Sequence, residues 1–179
     1  MMEISLDQLR DRAAKIQWMF CDIDGTLTDG SVYYSPEGEL LKKFSLRDGA
    51  GFFLLKQSGI RTGFITTENS PIVEQRAKKL GVDKYIFGTQ RKLEAMQEFA
   101  RSEGISLEQI AFIGDELNDV KLLRDCGLGI AVGDADRRAK EAAQLVCEHP
   151  GGHGAFREAA ERLLELKGIS IDEIIERAL

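Results

Sequence analysis

The sequence has few of the residues that mark disulfide-stabilised or zinc-binding proteins. Its 179 residues include three cysteines without a C-x-x-C spacing and two histidines, both late in the chain. An odd number of cysteines fits reduced thiols better than a disulfide framework. Cys21, Cys126 and Cys147 are therefore expected to be free thiols in a cytoplasmic protein. A zinc site built from His and Cys is not expected.

Long apolar runs and an excess of positive charge are also absent. No stretch approaches the ~20 apolar residues of a membrane span, and the acidic N-terminal segment lacks the apolar core of a signal peptide. A net charge of −6 argues against general nucleic-acid binding. The hydrophobic content of 43% suffices for a core without disulfides, so one soluble domain is expected over residues 1–179.

An apolar segment runs directly into two aspartates, in the sequence F-C-D-I-D-G-T at residues 20–26. Side chains alternate along a strand, so Asp22 and Asp24 can point the same way while Ile23 turns to the core. Two neighbouring carboxylates cannot both stay ionised cheaply unless a cation lies between them. The segment thus predicts a strand that ends in an active site, although Asp and Gly also favour a simple turn.

Short apolar strands alternate with helical segments over most of the chain. This alternation predicts an α/β fold with a Rossmann-like parallel sheet and helices on both faces. The predicted strands are 16–22, 60–66, 84–87, 110–113, 128–132 and 145–147. The predicted helices are 5–14, 50–58, 70–80, 92–103, 118–126, 135–143, 156–166 and 171–178, with a helical turn at 106–109.

The residue pattern of the segment at about 27–44 differs from that of the rest of the chain. It contains S-V-Y-Y, then S-P-E-G, then E-L-L-K-K-F, which indicates a strand, a turn and a second strand. A small β-hairpin insertion is therefore predicted, which can act as a flap or an assembly surface.

Polar clusters follow several of the predicted strands. They are Asp22-x-Asp24, T-T-E-N at 66–69 and G-D-E-L-N-D at 114–119. In parallel sheets, ligands bind beyond the carboxyl ends of the strands. Three aspartates at this edge, Asp22, Asp24 and Asp115, are hard oxygen donors that suit Mg²⁺.

This arrangement can cleave a phosphate ester. Asp22 is the candidate nucleophile, and Asp24 can exchange a proton with the leaving group and with water. Thr66 and Lys92 can hold the phosphoryl group, but each alone also fits an ordinary strand end or a solvated helix lysine. Asn118 and Asp119 can orient Asp115 and the metal's waters, although Asn118 could simply cap its helix.

These segments resemble a known superfamily. D-I-D-G-T-L-T-D-G at 22–30, Thr66, Lys92 and G-D-E-L-N-D at 114–119 are similar to the four motifs of the haloacid dehalogenase superfamily of phosphatases. Within it, the T-D-G-S-V-Y-Y hairpin, S-L-R-D-G-A-G at 45–51 and G-G-H-G-A-F-R-E at 151–158 resemble the family of 3-deoxy-D-manno-octulosonate 8-phosphate phosphatases. The similarity covers residues from about 6 to 166.

The resemblance implies a function and an assembly. It implies a Mg²⁺-dependent phosphatase that acts through an aspartyl-phosphate on a 3-deoxy-ulosonic sugar acid in lipopolysaccharide biosynthesis. It also implies that the hairpin at about 27–44 stands in place of a cap domain, since this segment leaves no room for the larger cap of a mutase or phosphonatase. It further implies a homotetramer formed through the hairpin, in which a neighbouring chain and the Gly-rich tail help to close each site. Relatives attached to sugar-nucleotide transferases leave a non-catalytic assembly role as an alternative, although all four motifs are intact.

The sequence departs from that family at two positions. Thr67 and Glu68 stand where the family usually has Gly and Arg, and His153 stands where the tail usually has Arg. A related branch, which acts on 2-keto-3-deoxynononate 9-phosphate, is similar to this sequence at Glu68 and Lys79. Lys78 and Lys79 could also be a solvated helix face. The eight- and nine-carbon substrates, and acylneuraminate 9-phosphate, stay open. The expected substrate-binding residues are Arg47, Thr67, Glu68, Lys79 and His153.

Overall fold

The structure is a computed structural model that describes residues 4–178. Its strands are β1 Trp18–Cys21, β2 Val32–Ser35, β3 Gly38–Lys42, β4 Arg61–Ile65, β5 Lys84–Ile86, β6 Ile110–Gly114, β7 Leu128–Ala131 and β8 Leu145–Val146. Its helices are α1 Leu6–Lys15, α2 Leu46–Gln57, α3 Pro71–Leu80, α4 Lys92–Glu103, α5 Val120–Asp125, α6 Arg137–Ala142, α7 Ala155–Leu166 and α8 Ile171–Ala178. A 3₁₀ turn covers Leu107–Gln109.

Six of the strands form one parallel sheet in the order β5-β4-β1-β6-β7-β8. The strand β1 lies at its centre, paired with β4 on one side and β6 on the other. All four of its residues are buried, as expected when helices cover both faces of a sheet. The predicted α/β fold with a Rossmann-like parallel sheet is confirmed, and the last residue of β1 directly precedes Asp22.

Local sequence signals account for most helix ends. Ser5 and Gln8 form a capping box at the start of α1, Pro71 begins α3, and Gly81 ends it in a left-handed conformation. The prediction for α2 was four residues short, because this helix begins at Leu46 rather than at residue 50. Its N-cap is Ser45, whose hydroxyl accepts a hydrogen bond from the backbone N–H of Arg47 at 3.1 Å.

The predicted hairpin is present as the antiparallel pair β2–β3, and it forms a separate two-stranded sheet. An irregularity in the register lies between Tyr33 and Tyr34. Large apolar side chains on both strands are exposed: Tyr33, Tyr34, Leu40 and Leu41. These exposed side chains show that the hairpin is not fully covered by its own chain.

The Gly-rich loop at 150–154 packs against the loop that follows β1. A Cβ atom on Gly151 would lie 1.7 Å from the carbonyl oxygen of Gly25, so only glycine fits there. Gly152 donates its N–H to the carbonyl of Thr26 at 3.0 Å. Two distant parts of the sequence are thereby held together beside Asp22 and Asp24. Among the described helices, none combines the length and apolar character required to cross a bilayer.

Candidate active site

Asp22 lies immediately after β1, at the carboxyl edge of the sheet. Its backbone N–H donates to the carbonyl of Ile113 in β6 at 3.0 Å, which continues the parallel pairing one residue beyond the strand. Its side chain forms an ion pair with Lys92, with Oδ1 and Nζ 2.7 Å apart. Lys92 is the first residue of α4 and is only 1% exposed, so its ammonium is committed to partners inside the protein.

Asp119 is the second partner of Lys92, and the two groups are 2.6 Å apart. Its other carboxylate oxygen accepts the backbone N–H groups of Asp115, at 3.0 Å, and of Glu116, at 3.2 Å. Asp119 is fully buried. It therefore holds both the ammonium of Lys92 beside Asp22 and the loop that carries Asp115.

Asp115 follows β6 and faces the loop after β1. The hydroxyl of Thr26 donates to its Oδ1 at 2.7 Å. A Cβ atom on Gly25, which has a φ of +89°, would lie 2.0 Å from Asp115 Oδ2. The glycine of the D-x-D-G sequence is thus required both for its backbone conformation and for the close approach of this carboxylate.

Three carboxylates gather at this edge in a way that fits a divalent cation. Asp22, Asp115 and Asp119 each offer an oxygen atom, and these atoms lie within 4.8 Å of one another. Hard oxygen donors of this kind suit Mg²⁺. The sequence predicted Asp22, Asp24 and Asp115 instead. The structure brings Asp119 into the cluster, and it turns the Asp24 side chain toward the hairpin.

The electrostatics of the cluster also favour a cation. Burial and the neighbouring Asp119 raise the pKa of Asp22, while Lys92 opposes that rise. Burial raises the pKa of Asp115 to about 7, against the hydrogen bond from Thr26. Burial lowers the pKa of Lys92, but Asp22 and Asp119 more than offset this and leave it above its ordinary value. A bound divalent cation would let all three carboxylates ionise together.

The Asp24 side chain forms an ion pair with Lys42, the last residue of β3. Lys42 Nζ also lies 3.5 Å from Glu39 Oε1, and the hydroxyl of Ser70 donates to Glu39 at 3.3 Å. No role in the site was predicted for Lys42, Glu39 or Thr26. The alternation within β3 places Lys42 on one face of the hairpin, but no local pattern indicates which face meets the site.

Two further predicted residues lie at the same edge. Thr66 directly follows β4 and is 1% exposed. Its hydroxyl accepts the backbone N–H of Glu68 at 3.2 Å, so its orientation is fixed. Asn118 is exposed. It borders an open cavity of about 400 Å³ together with Lys92, Arg91 and Lys121.

The predicted substrate-binding residues are more dispersed. Within residues 4–178, no hydrogen bond or ion pair joins their side chains to the carboxylate cluster. Glu68 is exposed. His153 is exposed and bonds to the carbonyl of Gly151 at 2.8 Å. Arg47 and Lys79 are exposed in the first turn of α2 and the last turn of α3, and Thr67 is half-buried.

Comparison with known proteins places this arrangement in a family. The family described as haloacid dehalogenase-like hydrolase matches residues 88–157. The 3-deoxy-D-manno-octulosonate 8-phosphate phosphatase of Haemophilus influenzae is 34% identical over 162 residues, which are 90% of each chain. The chain belongs to the haloacid dehalogenase-like hydrolases. The prediction of a phosphoric monoester hydrolase from this superfamily is thereby confirmed.

Other haloacid dehalogenase-like hydrolases agree in sequence and in structure. The 3-deoxy-D-manno-octulosonate 8-phosphate phosphatase of Yersinia pestis is 37% identical over 158 residues, covering 88% of this chain and 84% of its own. The crystal structure of the phosphatase of the same name from Moraxella catarrhalis contains a magnesium ion, a phosphate ion and the sugar acid KDO. It is 35% identical, covers 98% of this chain and all of its own, and superposes with a TM-score of 0.92.

Proposed function

We propose that the protein is a Mg²⁺-dependent phosphatase for a 3-deoxy-ulosonic sugar acid, with 3-deoxy-D-manno-octulosonate 8-phosphate as its main substrate. The observation that carries the proposal is the Asp22–Lys92 ion pair beside Asp115 and Asp119 at the carboxyl edge of a parallel sheet. The relative from Moraxella catarrhalis, which holds magnesium, phosphate and the product sugar, supports the choice of metal and substrate.

The metal would be held by carboxylate oxygens of Asp22 and Asp115, with Asp119 close by. The Asp24 side chain, expected from the sequence as a third ligand, is directed toward Lys42 and is assigned to proton transfer instead. When bound, Mg²⁺ neutralises charge on the phosphoryl oxygens and favours the ionised form of the nearby acids. Asp119 has two further tasks: it holds Lys92 and the backbone N–H groups of residues 115 and 116. We assign it a supporting role as well as a place beside the metal.

The reaction has two halves. A carboxylate oxygen of Asp22 attacks phosphorus, and the ester P–O bond breaks as Asp24 gives a proton to the leaving oxygen. Water then attacks the aspartyl-phosphate while Asp24 takes its proton back, and inorganic phosphate leaves. Lys92 and the hydroxyl of Thr66 hold the phosphoryl oxygens through both halves.

The first test is phosphate release from p-nitrophenyl phosphate with and without Mg²⁺. We expect release to require Mg²⁺, and Asp22→Asn to abolish it because the amide cannot act as the nucleophile. Asp134→Asn is a matched control, since Asp134 is an exposed aspartate at the same side of the sheet, bonded to the N–H of Gly151. Equal activity of wild type and Asp22→Asn would instead favour the non-catalytic assembly role.

The second test concerns the substrate. Arg47, Thr67, Glu68, Lys79 and His153 are proposed to contact the sugar acid, some of them from a neighbouring chain. Initial rates should be compared on 3-deoxy-octulosonate 8-phosphate, 2-keto-3-deoxynononate 9-phosphate and N-acetylneuraminate 9-phosphate. We expect the eight-carbon substrate to be fastest in the wild type and Glu68→Arg to change the ranking. A nine-carbon preference would support the alternative reading of Glu68 and Lys79, and a flat profile would remove both residues from substrate selection.

The proposed assembly is a homotetramer through the hairpin. It is supported by the four large apolar side chains that are exposed on the hairpin. Monomeric proteins rarely expose large apolar patches. Light scattering should give about four times the chain mass of 19.9 kDa. Leu41→Glu should reduce this mass, whereas Leu6→Glu, at a similarly exposed leucine on α1, should not. A monomeric wild type would contradict the assembly.

A reducing, cytoplasmic location is part of the proposal. All three cysteines are free and buried. Burial raises the pKa of Cys126 and of Cys147 to about 12, so both are expected to be inert thiols rather than reactive ones.

A further inference from the structure

We propose that Lys42 of the hairpin is a positioning residue, which holds the Asp24 carboxylate in the orientation from which Asp24 exchanges a proton with the leaving oxygen. This inference rests on the proposed phosphatase function and adds a residue to it. It assigns the hairpin a part in the chemistry of its own chain, in addition to any part in assembly or substrate binding.

The first observation is the burial of Lys42. Its side chain is 2% exposed, although it belongs to a hairpin on which Tyr34 is 74% exposed. A lysine stem and ammonium are removed from water at such a position only when acidic partners replace the lost hydration. Its two partners are Asp24 and Glu39. The side chain of Lys42 is therefore directed into the protein and paired there, unlike that of a surface lysine.

The ammonium of Lys42 lies on the side of the general acid and is engaged by Asp24 and Glu39. A different lysine, Lys92, is paired with Asp22 on the nucleophile side of the site. Each buried lysine thus forms ion pairs with its own two acids. Lys92 pairs with Asp22 and Asp119, and Lys42 pairs with Asp24 and Glu39.

The second observation is the chain of contacts beyond Lys42. Glu39, which holds the ammonium from the hairpin side, accepts a hydrogen bond from the hydroxyl of Ser70 at 3.3 Å. Ser70 is the residue before α3, three positions after Thr67. The orientation of Asp24 is thereby linked to the seating of the hairpin on the loop that follows β4. A hairpin displaced from this loop would take Lys42 away from Asp24.

The geometry assigns different tasks to the two oxygens of Asp24. Oδ1 is held by Lys42. An oxygen that accepts from an ammonium is a poor site for a second proton, so Oδ2 is the atom that can give a proton to the leaving alkoxide. Without Lys42 the carboxylate can rotate about its side-chain bonds, and the proton-transfer oxygen loses its fixed position.

The consequence is a dependence on the leaving group. A sugar alkoxide needs a proton in order to leave, whereas 4-nitrophenolate does not. Loss of Lys42 should therefore slow the release of the sugar far more than the first, nitrophenolate-releasing half of the reaction on p-nitrophenyl phosphate. A role of Lys42 in seating the substrate would instead raise KM for the sugar acid and leave kcat intact.

The experiment uses Lys42→Met, which keeps the length of the stem and removes the charge. Rapid-mixing measurements should give the burst of nitrophenolate and, separately, kcat and KM on 3-deoxy-octulosonate 8-phosphate. We expect kcat on the sugar ester to fall about 10- to 100-fold, and the nitrophenolate burst rate to fall less than about threefold. Lys42→Arg should restore part of the loss. Lys43→Met, at the exposed neighbouring lysine that pairs with Asp29, is the matched control and should change neither value.

A double-mutant cycle tests whether Lys42 acts through Asp24. On an Asp24→Asn background, Lys42→Met should lower kcat on the sugar ester less than about twofold, because the group that it positions is already lost. Multiplicative effects would overturn the proposal, as would equal losses on both esters or a change in KM alone. If Lys42→Met does not fold, Glu39→Gln takes its place. It should lower kcat on the sugar ester more than the nitrophenolate burst rate, by a smaller factor than expected for Lys42→Met, and the absence of this difference would overturn the proposal. A wild type inactive on both esters would contradict the phosphatase function itself.

Discussion

At the scale of single residues, Gly25 shows how closely the backbone and the metal cluster are fitted. Its φ of +89° lies in the left-handed region, and a Cβ would lie 2.0 Å from Asp115 Oδ2. Gly25→Ala should therefore displace the Asp115 carboxylate. We expect about a 100-fold loss of phosphatase activity, a higher Mg²⁺ concentration for half-maximal rate, and a loss of about 1–2 kcal/mol in the free energy of unfolding.

Gly30 provides the matched control for Gly25. It has a similar φ of +75°, but a Cβ there would come no nearer than 3.8 Å to another atom, the Cα of Gly25. Gly30→Ala should show a similar loss in free energy of unfolding with nearly unchanged Mg²⁺ dependence. If both variants lose activity equally, backbone strain alone explains the effect and the fit between Gly25 and Asp115 carries no special weight.

Contacts between side chains of separate elements could be predicted from the sequence only in part. Asp22 and Lys92 could be predicted as site residues because each lies at a recognisable boundary, a strand end and a helix start. The pairing of Asp24 with Lys42 could not, because it depends on how a separate two-stranded sheet is seated on the parallel one. The irregular register at Tyr33 and Tyr34 also breaks the simple alternation from which inward and outward faces are predicted.

At the scale of elements, short apolar strands separated by helical segments predicted the parallel sheet, and the strand-turn-strand pattern predicted the hairpin. The start of α2 was missed, although Ser45 and Asp48 have the spacing of a capping signal. Asp48 has a further task that the sequence did not reveal. It is buried and accepts the backbone N–H of Arg157 at 3.2 Å, which ties α2 to the first turn of α7.

A second link between elements leads to a prediction. Lys167, which follows α7, donates to the backbone carbonyls of Ala13 and Ile16 at 3.0 Å and of Ala14 at 3.2 Å, at the end of α1. Lys167→Met removes these three charge-assisted bonds, although the carbonyl of Ala13 still accepts the backbone N–H of Ile16. We expect a loss of about 1–3 kcal/mol in the free energy of unfolding, measured by urea denaturation, with unchanged kcat.

The control for Lys167 lies on α1 itself. Lys15 forms an ion pair with Glu108 at 3.0 Å, but both side chains are mostly exposed. Lys15→Met should change the free energy of unfolding by less than about 1 kcal/mol. Equal effects of the two substitutions would mean that the carbonyl bonds of Lys167 contribute no more than a surface ion pair.

At the scale of the whole molecule, the acid cluster predicts how stability depends on pH and on Mg²⁺. The pKa of Asp115 is about 7 in the folded protein, because of burial, against an ordinary value of 3.8. The folded state therefore binds more protons than the unfolded state between these values. The stability linked to this proton is fully present below about pH 3.8 and is lost as pH rises through about 7. The raised pKa of Asp22 acts in the same direction.

Urea denaturation in EDTA at pH 5, 6, 7 and 8 measures this dependence. We expect the free energy of unfolding to fall by about 1–3 kcal/mol over the range. Asp115→Asn should flatten the fall because the amide does not titrate. Saturating Mg²⁺ should also reduce it, since the cation binds the ionised carboxylates and its stabilisation grows as they deprotonate. Two outcomes would show that the cluster does not govern the stability of the fold. One is a free energy of unfolding that rises with pH in EDTA. The other is a decrease with pH that neither Mg²⁺ nor Asp115→Asn changes. In that case the carboxylates would be stabilised by the chain itself, and the electrostatic argument for a cation between them would fail.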